Sequence, residues 1–353
     1  MDFPKVELHL HIDGAIRHET IWELAQKKNL DLGVKTFEEL KEKIVTKTSA
    51  SLDHVLQAFI VFMPSVIGDI EAIERIAYEL CEDQAKQGVV YFEGRFSPHF
   101  LSNTHKSRSM NPTAQYKNKG QVTPEEACCA IIRGLERGEL DFKVKARVIL
   151  CCIRSHPHWS REILELVQKY RDHRIVGIDV AGCAFAGASE EFDNEEERVF
   201  EEAKKLGLHR TVHAGESGTA ADVDYAIKTL HAERIGHGYH ALDDPLVYQY
   251  MIDNNIHFEV CPTSSWCTGA VTVPFSQHPA VRLLKDNASF SISTDDPTCF
   301  GNYLNDELRV ARDEMGFTQQ QLWQCQLNAA QACFLPDDEK QELIEQIEAH
   351  RPK

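Results

Sequence analysis

No stretch of this chain stays apolar for the roughly 20 residues that a helix needs to cross a bilayer, so membrane insertion is not expected. A basic excess is missing as well. The formal net charge is −17, the opposite of the positive footprint a general nucleic-acid binder presents, and an unfavourable sign for docking on anionic lipid. Cys-x-x-Cys pairs are absent among the 11 cysteines, and Cys128-Cys129 and Cys151-Cys152 are adjacent. That spacing suits neither a zinc ribbon nor a disulfide framework, and the odd count points to reduced thiols, most of them buried as small apolar groups. There is no internal repeat, low-complexity tract or interdomain linker, so residues 1–353 read as one domain. The segment Met1–Lys5 runs straight into a strand with charged residues inside it, so no secretory signal is expected and the cytoplasm is the expected location.

Hydrophobic residues make up 42% of the chain and charged ones 26%, enough apolar material for a large core. Short apolar or β-branched runs recur along it. They predict eight strands: Val6–His11, Val89–Phe96, Val144–Leu150, Ile175–Val180, His209–His213, Arg234–His237, His257–Val260 and Ser289–Thr294. Between them, Ile70–Lys86, Thr123–Arg137, Ser160–Lys169, Asn194–Leu206, Ala220–Leu230 and Pro245–Asn254 carry helical patterns. Thr123 and Ser160 are expected to cap their helices, with Pro124 at a first helical position. Alternating strands and helices predict an α/β fold, a single (β/α)8 TIM-type barrel. Between Glu19 and Met63, the patches Thr20–Lys28 and Phe37–Thr46 read as extra helices over one barrel mouth. Thr104–Gly120 reads as an exposed loop, and Asp337–Lys353 as a closing amphipathic helix.

The unusual polar residues fall at the C-terminal ends of these strands, the face on which barrel active sites are built: His9, His11, Asp179, His213, His237 and Asp295. A strand alternates its side chains, so His9 and His11 face one side with Leu10 on the other. His9, His11, His213 and Asp295 together offer three imidazoles and a carboxylate to one divalent ion, with room for a water. Zinc suits that donor set, as do iron, cobalt or nickel. Glu216, on the turn after His213, is placed either to face such a water and a substrate or to serve as an acid near a helix N-terminus. His237 is flanked by glycines that let the backbone crowd a ligand. Asp295 and Asp296 diverge from one strand, leaving one to hold metal while the other addresses substrate.

In order along the chain, HLHIDGAI, VYFEGRFSPH, VAG, TVHAGE, RIGHGYH, CPTSS and STDDP resemble the motif series of adenosine deaminases, within the amidohydrolase superfamily. The resemblance spans Lys5 to about Pro336. It implies one Zn2+ per chain on His9, His11, His213 and Asp295, and a metal-activated hydroxide that adds to purine C6. It also implies Glu216 as proton donor to purine N1, and His237 as base and electrostatic partner. Asp296 matches the residue that bonds N7, Gly182 the one whose backbone N–H meets N3, and Asp13 and His11 the positions near the ribose 5′-hydroxyl. The implied reaction converts adenosine and 2′-deoxyadenosine to inosine and 2′-deoxyinosine with release of ammonia. Asp13-Gly14 is similar to the nucleoside enzymes, whereas methylated-AMP deaminases usually carry Asn there. Cys183-Ala184, Gly94 and Thr263 depart from the family's usual residues. The resemblance further implies a monomer whose partner is a purine nucleoside, and vertebrate-type relatives bind a cell-surface protein. A deaminase of a modified purine nucleoside, or a barrel that binds nucleoside or partner without turnover, are the two other readings; a pure binder has no need of Glu216.

Overall fold

The structure, a computed structural model, describes residues 1–104, 121–182 and 195–353. Eight parallel strands follow one another around a barrel in chain order. They are β1 (Lys5–His11), β2 (Val89–Phe96), β3 (Lys145–Ile153), β4 (Ile175–Ala181), β5 (His209–Ala214), β6 (Arg234–His237), β7 (His257–Val260) and β8 (Phe290–Ile292). The seam between β8 and β1 is closed by the backbone of Asp295, whose carbonyl accepts from the His11 N–H at 2.9 Å and whose N–H donates to the His9 carbonyl at 3.1 Å.

Alternation decides what goes where. Val6, Leu8 and Leu10 of β1 are fully buried in the apolar core shared with the surrounding helices. The intervening Glu7, His9 and His11 meet residues of β5, β7 and the segment after β8 across the barrel. The barrel is therefore apolar outside and charged inside.

The expected elements are present with shifted ends. β3 runs on to Ile153, past the expected Leu150, paired throughout with β4. β8 is shorter than the expected run to Thr294, because the Thr294 N–H leaves the ladder for the Glu7 carboxylate at 2.8 Å. Helix Pro124–Phe142 starts as expected, with Thr123 accepting from the Glu126 N–H and Glu126 returning the bond to the Thr123 N–H, and it continues beyond Arg137 until Lys143 turns left-handed. The expected cap at Ser160 is not made. A 3-10 turn over Pro157–Trp159 already supplies helical backbone, so Ser160 is the first residue of its helix and needs no capping hydroxyl. Helices Ala220–Lys228 and Pro245–Asp253 end slightly early, and Asp337–Glu348 closes the chain. The helix expected from Asn194 is described from Glu195 to Lys205; Asn194 itself, Cys183-Ala184 and all of the expected loop but Thr104 lie outside the described residues.

The stretch after β1 holds three helices rather than the two expected: His18–Lys28, Phe37–Ile44 and Leu52–Phe62. Ser51 caps the third by accepting from the His54 N–H. The Ala50 N–H donates to the Cys267 carbonyl at 2.9 Å and the Thr46 N–H to the Cys299 carbonyl at 2.8 Å, which ties this excursion to the loops after β7 and β8. Those loops surround the C-terminal mouth of the barrel, so the insertion covers that mouth. Among the described residues no helix is long and apolar enough to cross a membrane.

Candidate active site

A buried ion network fills the barrel below its mouth. Arg95 of β2 reaches Asp179 on β4 at 3.0 Å and Glu259 on β7 at 2.7 Å, and donates to the Leu8 carbonyl at 2.6 Å. Arg234 of β6 links Glu259 to Glu93, each at 2.7 Å. Burial alone would raise the carboxyl pKa values. Against it, Arg95 and Arg234 hold Glu259 well below its ordinary range, and His213 with Arg95 does the same for Asp179.

Those two ionised carboxylates orient the histidines above them. Glu259 lies 2.7 Å from His9 Nδ1, and Asp179 lies 2.9 Å from His213 Nδ1. A carboxylate can only accept, so each Nδ1 carries a proton; burial opposes a second proton on His9 but Asp295 and Glu259 raise its pKa, so a cation at its Nε2 would take that proton's place. His11 Nε2 stands 3.2 Å from His213 Nε2, and Asp295 Oδ1 is 3.2 Å from His9 Nε2 and 3.3 Å from His11 Nε2. Burial lowers the pKa values of His11 and His213, keeping both rings neutral.

This set fits a divalent cation. His9 Nε2 is buried without a hydrogen-bond partner, and two neutral imidazoles turn nitrogens toward each other with an acidic oxygen alongside. Donors bonded at about 2.0–2.1 Å to one tetrahedral ion stand about 3.3–3.4 Å apart, close to the spacings of His11 from His213 and of Asp295 from His9 and His11; His11 also groups with Asp295 and Asp296. His237 is a neighbour of the set: its donor lies within 4.8 Å of those of His9, His213 and Asp295. Its Nε2, however, is 3.8 Å from Asp295 Oδ2 and 3.6 Å from Glu216 Oε2, so it flanks the cluster on the Glu216 side.

Two of these residues sit on unusual backbone. Asp295 has φ 68° and His237 φ 65°, a left-handed conformation that side chains with a Cβ rarely adopt. Ladder bonds from Asp295 to His9 and His11, and from the Gly238 N–H to the Ala214 carbonyl at 3.0 Å, hold them there. Gly236 is required by close approach, since a Cβ on it would lie 2.9 Å from His9 Cε1 and 3.3 Å from His213 Cα. Gly236→Ala is therefore expected to push His9 aside and weaken divalent-ion affinity at least tenfold in a chelator competition; unchanged affinity would show that the His9 ring is free to move.

On the other side of the cluster three carboxyls hold their protons more tightly than free ones. Burial first, and then the charge of Asp295, push Glu216 up to about 8. The same two causes, with Asp13 and Glu216, raise Asp296 well above its ordinary value, and burial raises Asp13 to about 7. Glu216 Oε1 and Asp296 Oδ1 are buried without hydrogen-bond partners. His237 is neutral, its pKa lowered far by burial. The site thus brings hydrogen-bond-donating carboxylic acids and a proton-accepting imidazole to the rim of one cation cluster. Glu216 is no helix-terminus acid: the next helix begins at Ala220, and Asp222 serves its Thr219 cap at 2.5 and 3.0 Å.

All the expected metal-ligating residues converge, with His237, Glu216 and Asp296 beside them. Asp13 sits on the buried turn after β1, and Gly182 ends β4 with φ 95°. Sequence reasoning passed over Glu259, Arg95 and Ser264, whose hydroxyl donates to Asp295 Oδ2 at 2.7 Å. The available signal was a charged residue inside an otherwise apolar strand, in HFEV and EGRF. At Gly94 Ile12 fills the space: a Cβ there would lie 2.8 Å from Ile12 Cγ1. At Thr263 the backbone N–H donates to Glu307 at 2.9 Å, and the side chain bonds the same carboxyl.

Comparison with known proteins agrees with this geometry. The sequence profile of the family described as adenosine deaminase matches residues 4–350. The chain is 46% identical over 341 residues to the adenosine deaminase of Xenopus laevis, covering 97% of this chain and 94% of that protein. It is 45% identical over 342 residues to that of Bos taurus, covering 97% and 93%. Among solved structures it resembles an adenine deaminase from Arthrobacter aurescens, with TM-score 0.84, 26% identity and 98% of each chain covered. It also resembles an Arabidopsis N6-mAMP deaminase, with TM-score 0.81, 26% identity and 98% of each chain covered.

Proposed function

We infer that this chain, which belongs to the adenosine deaminase family, replaces the C6 amino group of adenosine and 2′-deoxyadenosine with oxygen, giving inosine, 2′-deoxyinosine and ammonia. The observation that carries the reading is that Asp295 stands 3.2 Å from His9 and 3.3 Å from His11, and His11 3.2 Å from His213, with Glu216 on their flank. Those four residues would hold one Zn2+, which supplies Lewis acidity and makes hydroxide available near neutral pH.

The protein's own groups do the rest. Glu216, in its protonated form, donates to purine N1 and draws electron density from C6. Neutral His237 takes the proton of the water whose oxygen adds to C6. The C6–O bond forms; the proton His237 took passes to the amino group, the C6–N bond breaks and ammonia leaves, and the C6 hydroxyl returns its proton to Glu216 as the carbonyl forms. N7 is an acceptor and needs a donor, which the neutral carboxyl of Asp296 provides. The Gly182 N–H meets N3, and Asp13 with His11 addresses the 5′-hydroxyl. All ten described cysteines are free thiols, which supports a cytoplasmic setting.

Zinc analysis coupled to a substrate panel tests the reading on one preparation. Adenosine and 2′-deoxyadenosine are expected to turn over fastest among adenine, N6-methylated nucleosides, AMP and N6-methyl-AMP. Metal-loaded protein that leaves adenosine unchanged would overturn it, and a faster methylated substrate would redirect it.

A further inference from the structure

Gly182 has little to hold it in place by shape. A Cβ built on it would meet nothing closer than the Arg154 nitrogen at 3.8 Å and Ile153 Cγ2 at 3.9 Å, and its φ of 95° is open to glycine without steric restraint. The peptide planes on either side of its Cα are nevertheless both anchored, and by one residue. The Arg154 backbone N–H donates to the Ala181 carbonyl at 3.1 Å. The Ala181 carbonyl and the Gly182 N–H are opposite edges of one planar peptide, so this bond turns the N–H away from Arg154. Arg154 Nη1 then donates to the Gly182 carbonyl at 2.8 Å, fixing the next plane. Its Nη2 donates to the carbonyl of His213, at the end of β5.

We propose that Arg154 is a positioning residue for substrate: by clamping both peptide planes around Gly182 and the His213 carbonyl, it aims the Gly182 N–H at purine N3. A planar guanidinium with divergent donors can span two carbonyls on neighbouring strands, whereas an ammonium is a single point. The inference rests on the reading that the Gly182 N–H meets N3, and the test separates the two.

Inosine and 3-deazainosine, which has C–H in place of N3, are titrated onto zinc-loaded protein at equilibrium, so no turnover intervenes. One hydrogen bond lost to a buried donor corresponds to about a tenfold preference of the parent for inosine. In R154M, which keeps the stem's bulk and the backbone N–H but loses the guanidinium donors to the Gly182 and His213 carbonyls, the Gly182 turn loses one of its two anchors and the preference is expected to fall to about threefold or less. The fall comes from weaker inosine binding, with zinc content unchanged because His213 Nδ1 keeps its anchor on Asp179. A parent that does not distinguish the two ligands defeats the N3 reading itself. A parent that distinguishes them, beside an R154M that distinguishes them equally well or loses both ligands in the same proportion, overturns the role given to Arg154. Should R154M fail to fold, R154K, able to reach one carbonyl only, must show a preference clearly below the parent's, and an equal one overturns the proposal.

Discussion

Glu216→Gln is expected to lower kcat on adenosine about 10³-fold, within the 10²–10⁴ range of a lost general acid, while zinc content and nucleoside binding stay close to the parent's. The amide can still donate a hydrogen bond to N1 but has no proton to give. A stopped assay with parallel metal analysis reads both quantities, and a fully active variant would remove Glu216 from the chemistry. The pH dependence follows from the same group. Its reactive form is the protonated one, so activity is full below its pKa and is lost as pH rises through it. That loss falls at or below about 8, because a cation in the neighbouring cluster favours the carboxylate and pulls the value down. In Glu216→Gln the residual rate should lose this alkaline fall; if the fall persists unchanged, another group produces it.

Arg95→Met is expected to have the second large effect, on stability. Arg95 is fully buried and is a shared counter-ion of Asp179 and Glu259, both fully buried as well. Removing it leaves Asp179 without an arginine partner and Glu259 with Arg234 alone, and breaking a buried pair in this way costs about 3–5 kcal/mol. The denaturant midpoint should fall accordingly, and zinc affinity with it, since these carboxylates hold the Nδ1 protons of His213 and His9. Arg137→Met is the control. Arg137 pairs with Glu74 at the surface, 61% exposed, and such pairs contribute about 0–1 kcal/mol. A comparable, small shift in both variants would mean that the interior network is dispensable.

Much of the barrel was legible because period-2 runs and short strands announce themselves locally. β2, β6 and β7 have the bounds that their apolar runs predict, and His9-Leu10-His11 declares two imidazoles on one side of a strand. Element ends were harder to read. Whether a strand stops at Ile292 or Thr294 depends on Glu7, 287 residues away in sequence, and no local pattern carries that information. The helix Leu52–Phe62 was hidden for a similar reason: it packs on the helix Phe37–Ile44 and the turn Met63–Ser65 of the same excursion rather than on a strand beside it. Within the site, chemistry-bearing residue types stood out. Glu259 and Arg95 did not, because an acid or a base in a strand reads as solvent-facing until its partner across the barrel is known. Likewise the protonation of Glu216 and Asp296 is a property of crowding among side chains from separate loops, and no single segment contains it.

The residue that completes the ring of strands is also one that faces the imidazoles. Asp295 hands its peptide to β1 and its carboxylate to His9 and His11, so capture of an ion and fastening of the last strand to the first are linked events. Anything bound at that point in the folded state alone adds to stability in proportion to its chemical potential. An ion held there, as proposed, would tie the cohesion of the fold to metal supply: a depleted cell would hold a looser protein, not merely an idle one.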